Sequence, residues 1–202
     1  MFSDVNLHME PGECVGIMCD EVNTTTLLGL LATGQLKPNE GRVLVDGLDL
    51  AHHDCNNMRG LIEFMPQKGV LFMGTILQNL TMYEDSLVPA AMDAAALVGL
   101  DTLVANLPQG YETPIGSHHG TFLPGALVQR IAVARAIIHR PRIIIFDRAN
   151  STLDSGSDLE MRSLISRLKG ISTIMLITNQ PGWLTMVDII YEVVGDTLEE
   201  LF

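Results

Sequence analysis

The run Arg142-Ile-Ile-Ile-Phe146, closed by Asp147, constrains the fold more than any other segment. Consecutive large apolar side chains point to both faces of a strand, so both faces need cover, as in a parallel sheet flanked by helices. The flanks agree with this. Residues 126–139 set Leu127, Ile131, Ala134 and Ile138 at intervals of three and four, which predicts a helix, and Pro141 ends it. Downstream, residues 159–168 read as an amphipathic helix and residues 172–178 as another buried strand. Strand and helix thus alternate as in a parallel α/β sheet.

Upstream the pattern is similar. Residues 12–19, Gly-Glu-Cys-Val-Gly-Ile-Met-Cys, predict a turn feeding a short buried strand, and residues 24–31 switch to helical spacing. Residues 42–46 alternate as Arg-Val-Leu-Val-Asp before Gly47, which predicts a strand and a turn; residues 61–66 predict a strand ended by proline. Residues 86–107 are alanine-rich and predict a pair of helices, punctuated by Gly99 and Pro108. The acidic end at residues 196–200 reads as a solvated or fraying face.

At 202 residues with 47% hydrophobic side chains the chain is expected to form one globular unit. A formal net charge of −12 argues against nucleic acid and against an anionic leaflet as partners, since both need clustered Lys and Arg. Cys14, Cys19 and Cys55 lack CxxC spacing, which suggests neither a disulfide framework nor a zinc site and fits a reduced, cytosolic setting. No apolar stretch reaches the roughly 18 to 20 residues that span a bilayer. A membrane role is therefore expected to come through another chain or a further segment.

Several blocks follow one another in a fixed order. They are Met65-Pro-Gln-Lys-Gly-Val-Leu-Phe-Met-Gly-Thr-Ile-Leu-Gln-Asn-Leu80, Leu107-Pro-Gln-Gly-Tyr-Glu-Thr-Pro-Ile-Gly116, the segment 123–147 and Ser151-Thr-Leu-Asp154. Together they resemble the nucleotide-binding domain of ATP-binding-cassette (ABC) transporters of the exporter type, across nearly the whole chain. The resemblance implies an α/β, P-loop NTPase-like ABC ATPase fold, with a mostly parallel sheet core, an antiparallel β part and a helical subdomain. It also implies a single domain over 1–202, its α/β core at 1–72 and 128–202 and its helical subdomain, with a signature-like motif, at about 73–127. The family's first strand, which carries an aromatic that stacks on adenine, would precede Met1. Either the chain is part of a longer exporter subunit or that contact is missing.

The resemblance places Mg-ATP contacts on Thr25, Thr26, Gln67, Asp147, Gly125 and Asp154, with Thr25, Gln67 and Asp147 as magnesium ligands. Gln67 stands for the glutamine that touches magnesium and the lytic water. Residues 151–154 match the loop that lies along the dimer seam. His118 and His119 stand in the loop that faces the membrane domains and read as a solvated pair.

The chemical letters depart from the family. A phosphate loop needs glycines, so that backbone N–H groups approach the phosphates, and a lysine to neutralise them. Here the loop is Cys19-Asp-Glu-Val-Asn-Thr-Thr-Thr26. Counting back from Leu27 and Leu28, Thr25 and Thr26 fall on the Ser/Thr pair, Thr24 on the lysine and Asn23 on the last glycine, with the loop one residue short. Asp20 and Glu21 add carboxylates where a triphosphate would sit. Arg148 stands where the family has a water-polarising glutamate and is expected to ion-pair with Asp147, Asp154 or the acidic loop. Leu123-Pro-Gly-Ala-Leu127 replaces Leu-Ser-Gly-Gly-Gln, leaving Gly125, and Asn179 takes the place of the switch histidine.

These losses predict a degenerate exporter domain that binds Mg-ATP weakly or not at all. It would serve a membrane transport complex from the cytoplasmic face, beside a fused or separate transmembrane domain and a second nucleotide-binding domain in a homo- or heterodimer. One alternative is a low-activity ATPase energising export through Thr25, Gln67 and Asp147. Another is a detached protein-interaction module.

Overall fold

The computed structural model describes residues 3, 5–20, 22–52, 60–116, 123–149 and 155–201. Its elements run β1 (Cys14–Met18), α1 (Val22–Ala32), β2 (Leu44–Val45), β3 (Leu48–Asp49), β4 (Ile62–Met65), β5 (Gly74–Thr75) and α2 (Ile76–Thr81). There follow α3 (Val88–Leu97), α4 (Leu100–Val104), β6 (Pro114–Ile115), α5 (Gly125–Ile137), β7 (Ile143–Asp147) and α6 (Ser155–Leu168). The chain closes with β8 (Thr173–Ile177), α7 (Pro181–Leu184), β9 (Ile189–Val194) and β10 (Thr197–Glu200). It divides into two compact units: Met1–Pro66 with Pro141–Arg148 and Leu168–Phe202, and Gln67–Arg140 with Ala149–Arg167.

The first unit is built on a six-stranded sheet in the order β10-β9-β1-β8-β7-β4. Every neighbouring pair is parallel except β10 with β9. As the apolar run predicted, β7 lies inside, between β8 and β4, with Phe146 opposite both Leu176 and Met65. Val15, Ile17, Ile145, Met175, Ile177 and Tyr191 bury one face of this sheet with Leu28 of α1. Burying a side chain of that size contributes about 1.5–3 kcal/mol, so this cluster holds α1 to the strands.

The close approach of α1 to the sheet explains one glycine. A Cβ at Gly29 would stand 2.3 Å from Phe64 Cε2 of β4, far inside van der Waals contact. Gly29 is poor for a helix, but any side chain there displaces the aromatic ring.

Two expectations are corrected. The strand foreseen over residues 42–46 is only Leu44–Val45, because Asp46 and Gly47 both adopt positive φ (51° and 78°) and turn the chain into the β2–β3 hairpin. The acidic end does not fray. Thr197–Glu200 forms β10 beside β9, and the Tyr191 hydroxyl bonds to Glu200 Oε2 at 3.2 Å. Its carboxylates lie on an edge strand, where charge discourages further strand pairing.

The second unit is helical, with α2, α3, α4 and α5 packed on one another. Helix α2 opens on a reciprocal capping box between Thr75 and Gln78. Ala91, Ala94 and Ala95 of α3 are buried, and such small side chains permit close helix approach. Arg130 of α5 is 5% exposed and points its guanidinium at the end of α3, bonding the Val98 and Gly99 carbonyls at 3.4 and 3.3 Å. It also reaches Ser157 Oγ and pairs with Glu160 of α6. A cation at a helix C-terminus satisfies carbonyls that have no partner in the helix.

The prediction for this fold concerns Gly29. Gly29→Ala should destabilise the domain by about 1–3 kcal/mol, because overpacking against Phe64 outweighs the roughly 1 kcal/mol gain in helix propensity. A urea titration measures it, and an unchanged or raised midpoint would refute the account.

Candidate functional site

Parallel strands end on one edge, so the residues that follow them become neighbours. The ladder continues past the strand ends of β1, β8 and β7. The Thr178 N–H donates to the Ile17 carbonyl at 3.0 Å, and the Arg148 N–H donates to the Ile177 carbonyl at 2.9 Å. This backbone order brings Cys19 and Asp20, Thr178 and Asn179, and Asp147 and Arg148 to the same edge.

Asp147 is 3% exposed. Its Oδ2 accepts a 2.8 Å bond from Thr26 Oγ1 in the N-terminal half of α1, while its buried Oδ1 has no partner among the described residues. A buried carboxylate oxygen without a donor costs free energy, and such atoms are uncommon away from sites that bind something. The hydroxyl that meets Asp147 is thus Thr26; the Thr25 side chain lies outside the described residues. With Thr26 in the last place of the eight-residue pattern G-x-x-x-x-G-K-[S/T], the stretch from Cys19 to Thr26 has full length. The shortened loop expected from Leu27 and Leu28 gives way to this register. Thr25 then takes the lysine place and Thr24 that of the last glycine.

Asn179 turns to the loop. Its Oδ1 accepts from the Cys19 N–H at 3.0 Å and its Nδ2 donates to Asp20 Oδ1 at 2.8 Å, the one amide orientation that satisfies both partners. Arg148 sits at φ 49°, in the left-handed region, and its Nη2 donates to the Cys19 carbonyl. Among the described residues the partner of this guanidinium is a peptide carbonyl, because the strand order aims the side chain across β8 at the end of β1; of the carboxylates expected for it, Asp154 and Glu21 lie outside the described residues.

The fit to Mg-ATP is divided. Asp147 Oδ1 with the Thr26 hydroxyl suits a hard cation that takes its remaining ligands from water and phosphate. The phosphate side does not fit. No residue from Cys19 to Thr26 is a lysine or a glycine, and the Asp20 carboxylate lies where negative charge would be repelled.

In the second unit, Gln67 begins a segment laid on α5. The Gly69 N–H donates to Gln129 Oε1 at 2.7 Å, and a Cβ at Gly69 would stand 2.9 Å from the Val128 carbonyl. Arg135 donates to the Val70 carbonyl at 2.8 Å and lies over the Phe72 ring at 5.0 Å. Asn79, fully buried, had no signal beyond its polarity: its Oδ1 accepts from Phe72 N–H and its Nδ2 donates to the Phe72 and Thr75 carbonyls. Gly125 opens α5, exposed, with Pro124 at the N-cap. A Cβ at Gly125 would meet nothing within 4 Å, so packing in the chain does not require glycine there. Asp154, the rest of residues 151–154, His118, His119, Glu21 and Cys55 lie outside the described residues. Among the described residues no group of three His, Cys, Asp or Glu side chains is placed to hold a metal ion.

Comparison with known proteins agrees with this architecture. The family model described as ABC transporter matches residues 2–151. The chain is 35% identical to the exotoxin translocation ATP-binding protein PaxB of Pasteurella aerogenes, over 87% of this chain and 25% of that protein. It is 31% identical to the sophorolipid transporter of Starmerella bombicola, over 99% of this chain and 16% of that protein. A solved structure of a bacterial Atm1-family ABC exporter with ATP bound superposes with a TM-score of 0.85 at 30% identity, covering 94% of this chain and 33% of that one. The chain therefore spans a third or less of the length of each of these proteins.

The orphaned oxygen generates a prediction. Asp147→Asn should leave the ligand-free domain as stable as before or more stable by about 1 kcal/mol, since it removes a buried charge. Thr26→Val should cost about 1–3 kcal/mol by stripping Oδ2 of its donor. Thermal melts of both variants check the pair, and a loss of stability in Asp147→Asn larger than that in Thr26→Val would overturn it.

Proposed function

The chain belongs to the ABC transporter family and has the fold of an exporter nucleotide-binding domain, and on that premise we propose that it is a pseudo-ATPase. On this reading it binds Mg-ATP weakly or not at all and does not hydrolyse it. It pairs with a second nucleotide-binding domain, its own copy or another chain, and holds or transmits conformation at the cytoplasmic face of a membrane. The link to the membrane is an exporter transmembrane domain, fused or separate. No helix among the described residues is long and apolar enough to cross a membrane.

The observation that carries this reading is the direction of Arg148 and Asn179. By resemblance they stand at the positions of the water-polarising glutamate and the switch histidine, yet both turn their polar atoms to Cys19 and Asp20. A guanidinium cannot take a proton from water, and a carboxamide is no general base. Phosphoryl transfer depends almost wholly on placed charge, and the loop supplies a carboxylate where it needs a cation. Thr25, Thr26, Gln67, Gly125, Asp147 and Asp154 are then remnant positions of the nucleotide site, of which the pair Thr26 and Asp147 keeps the most chemical capacity.

That pair favours a second reading. The open Oδ1 of Asp147 beside the Thr26 hydroxyl supports residual magnesium binding, and with it a low-activity ATPase. The Mg²⁺ ion would supply charge neutralisation between phosphate oxygens; the two side chains would hold and orient it.

Calorimetric titration with Mg-ATP and a non-hydrolysable analogue, followed by steady-state hydrolysis, separates the readings. We expect no saturable binding in the micromolar range and turnover at background, because loss of a single charge-stabilising donor already costs about 10²–10³ in rate. Micromolar affinity with turnover above background would overturn the proposal. In the purified chain alone, restoring the loop with Thr24→Gly and Thr25→Lys together with Arg148→Glu should still give no activity, since Leu123-Pro-Gly-Ala-Leu127 is unrepaired in the second copy; activity from those three changes alone would contradict it.

A further inference from the structure

Both backbone polar groups of Cys19 are taken by side chains that arrive from other strands. Its N–H donates to Asn179 Oδ1 at 3.0 Å, and its carbonyl accepts from Arg148 Nη2. Asn179 Nδ2 adds a third tie at Asp20 Oδ1, 2.8 Å away. The backbones that carry these side chains are themselves fixed. Thr178 N–H bonds the Ile17 carbonyl, Arg148 N–H bonds the Ile177 carbonyl, and the Gln180 N–H donates to Thr178 Oγ1 at 3.1 Å.

Strand order explains which side chain does what. Asn179 leaves β8, next to β1, so a short amide spans one gap of about 4.8 Å. Arg148 leaves β7, two strands from β1, and must cover about 10 Å between backbones. Only arginine or lysine has that reach. Arg148 also adopts a left-handed backbone, a conformation that a long side chain takes at a cost and keeps where its surroundings determine it.

We propose that Arg148 and Asn179 form a clasp that holds the turn at Cys19 and Asp20 in one conformation without nucleotide. The state of the loop is then set by protein groups and not by a ligand. The clasp is independent of whether ATP binds, so it goes beyond the pseudo-ATPase reading.

Cys19 is itself the probe. It lies outside any disulfide and is 6% exposed, so it reacts with a thiol reagent only when the turn opens. Cys14, fully buried in β1 with its thiol pushed up to about 12 by burial, reports unfolding of the strand. The nucleotide-free chain is treated with iodoacetamide and labelling at each cysteine is followed by peptide mass spectrometry. Asn179→Ala and Arg148→Ala should each raise the Cys19 rate by about tenfold or more while Cys14 stays unlabelled, as expected for loss of ties that hold a local closed state. Arg148→Lys, which spans the same gap, should stay within about threefold of wild type.

Equal Cys19 rates in wild type, Asn179→Ala and Arg148→Ala would overturn the clasp. If an alanine variant labels at Cys14 as well, Asn179→Asp decides: it keeps volume and the acceptor for Cys19 but sets a carboxylate against Asp20. Faster Cys19 labelling with Cys14 protected supports the clasp, and no increase sinks it. Mg-ATP added to wild type gives a separate reading. A change in the Cys19 rate at micromolar Mg-ATP would contradict the weak or absent binding of the pseudo-ATPase proposal, while opening in the variants would still establish the clasp.

Discussion

The parallel ladder of β1, β8 and β7 is the constraint on which the rest of the first unit depends. Because the three strands run the same way and end together, the residues that follow them are placed within reach of one another by backbone hydrogen bonds alone. The spacing of the strands then selects the side chains. A carboxylate at the end of β7 meets the hydroxyl presented by α1, an amide after β8 spans one gap, and a guanidinium after β7 spans two. Once the apolar core beneath has set that ladder, each of these polar contacts is available without moving the backbone.

The two halves of the edge follow different physical logic. Thr26 and Asp147 form a pair in which one buried carboxylate oxygen has no partner among the described residues, at a cost in stability. Cys19, Asp20, Asn179 and Arg148 form a set with its valences largely met inside the protein. An unpartnered carboxylate oxygen thus lies beside a turn whose Cys19 backbone groups are bonded by the chain's own side chains. Electrostatics point the same way: the loop carries a carboxylate, and its nearby guanidinium is committed to a carbonyl.

In the second unit the organising contacts are buried polar side chains that replace missing secondary structure. Asn79 serves three backbone groups of the segment that enters α2, and Arg130 serves the carbonyls at the end of α3. Each is a side chain with several donors in a fixed geometry, which suits it to backbone that has left a helix or strand. Loss of either would leave several buried groups without partners at once.

The amino-acid order by itself determined the sheet and most of its helices. Long apolar runs such as residues 143–146 and 174–177 can be buried only between helices, and the 3.6-residue spacing at 126–139 is a local signal that needs no partner. The family resemblance and the absence of lysine and glycine from residues 19–26 were likewise legible, because residue identity alone decides whether a cation or a bare N–H is present. The short strand at residues 44–45 and the pairing of the solvated acidic end with β9 were not legible, since strand pairing is decided by a neighbour that period and composition do not name. Only the tertiary structure decided that Thr26 faces Asp147, that Arg148 bonds the Cys19 carbonyl, and that Asn179 bridges Cys19 and Asp20. Those choices rest on strand order and on the reach of single side chains, distances that arise when segments about 120 to 160 residues apart in sequence are brought to one edge.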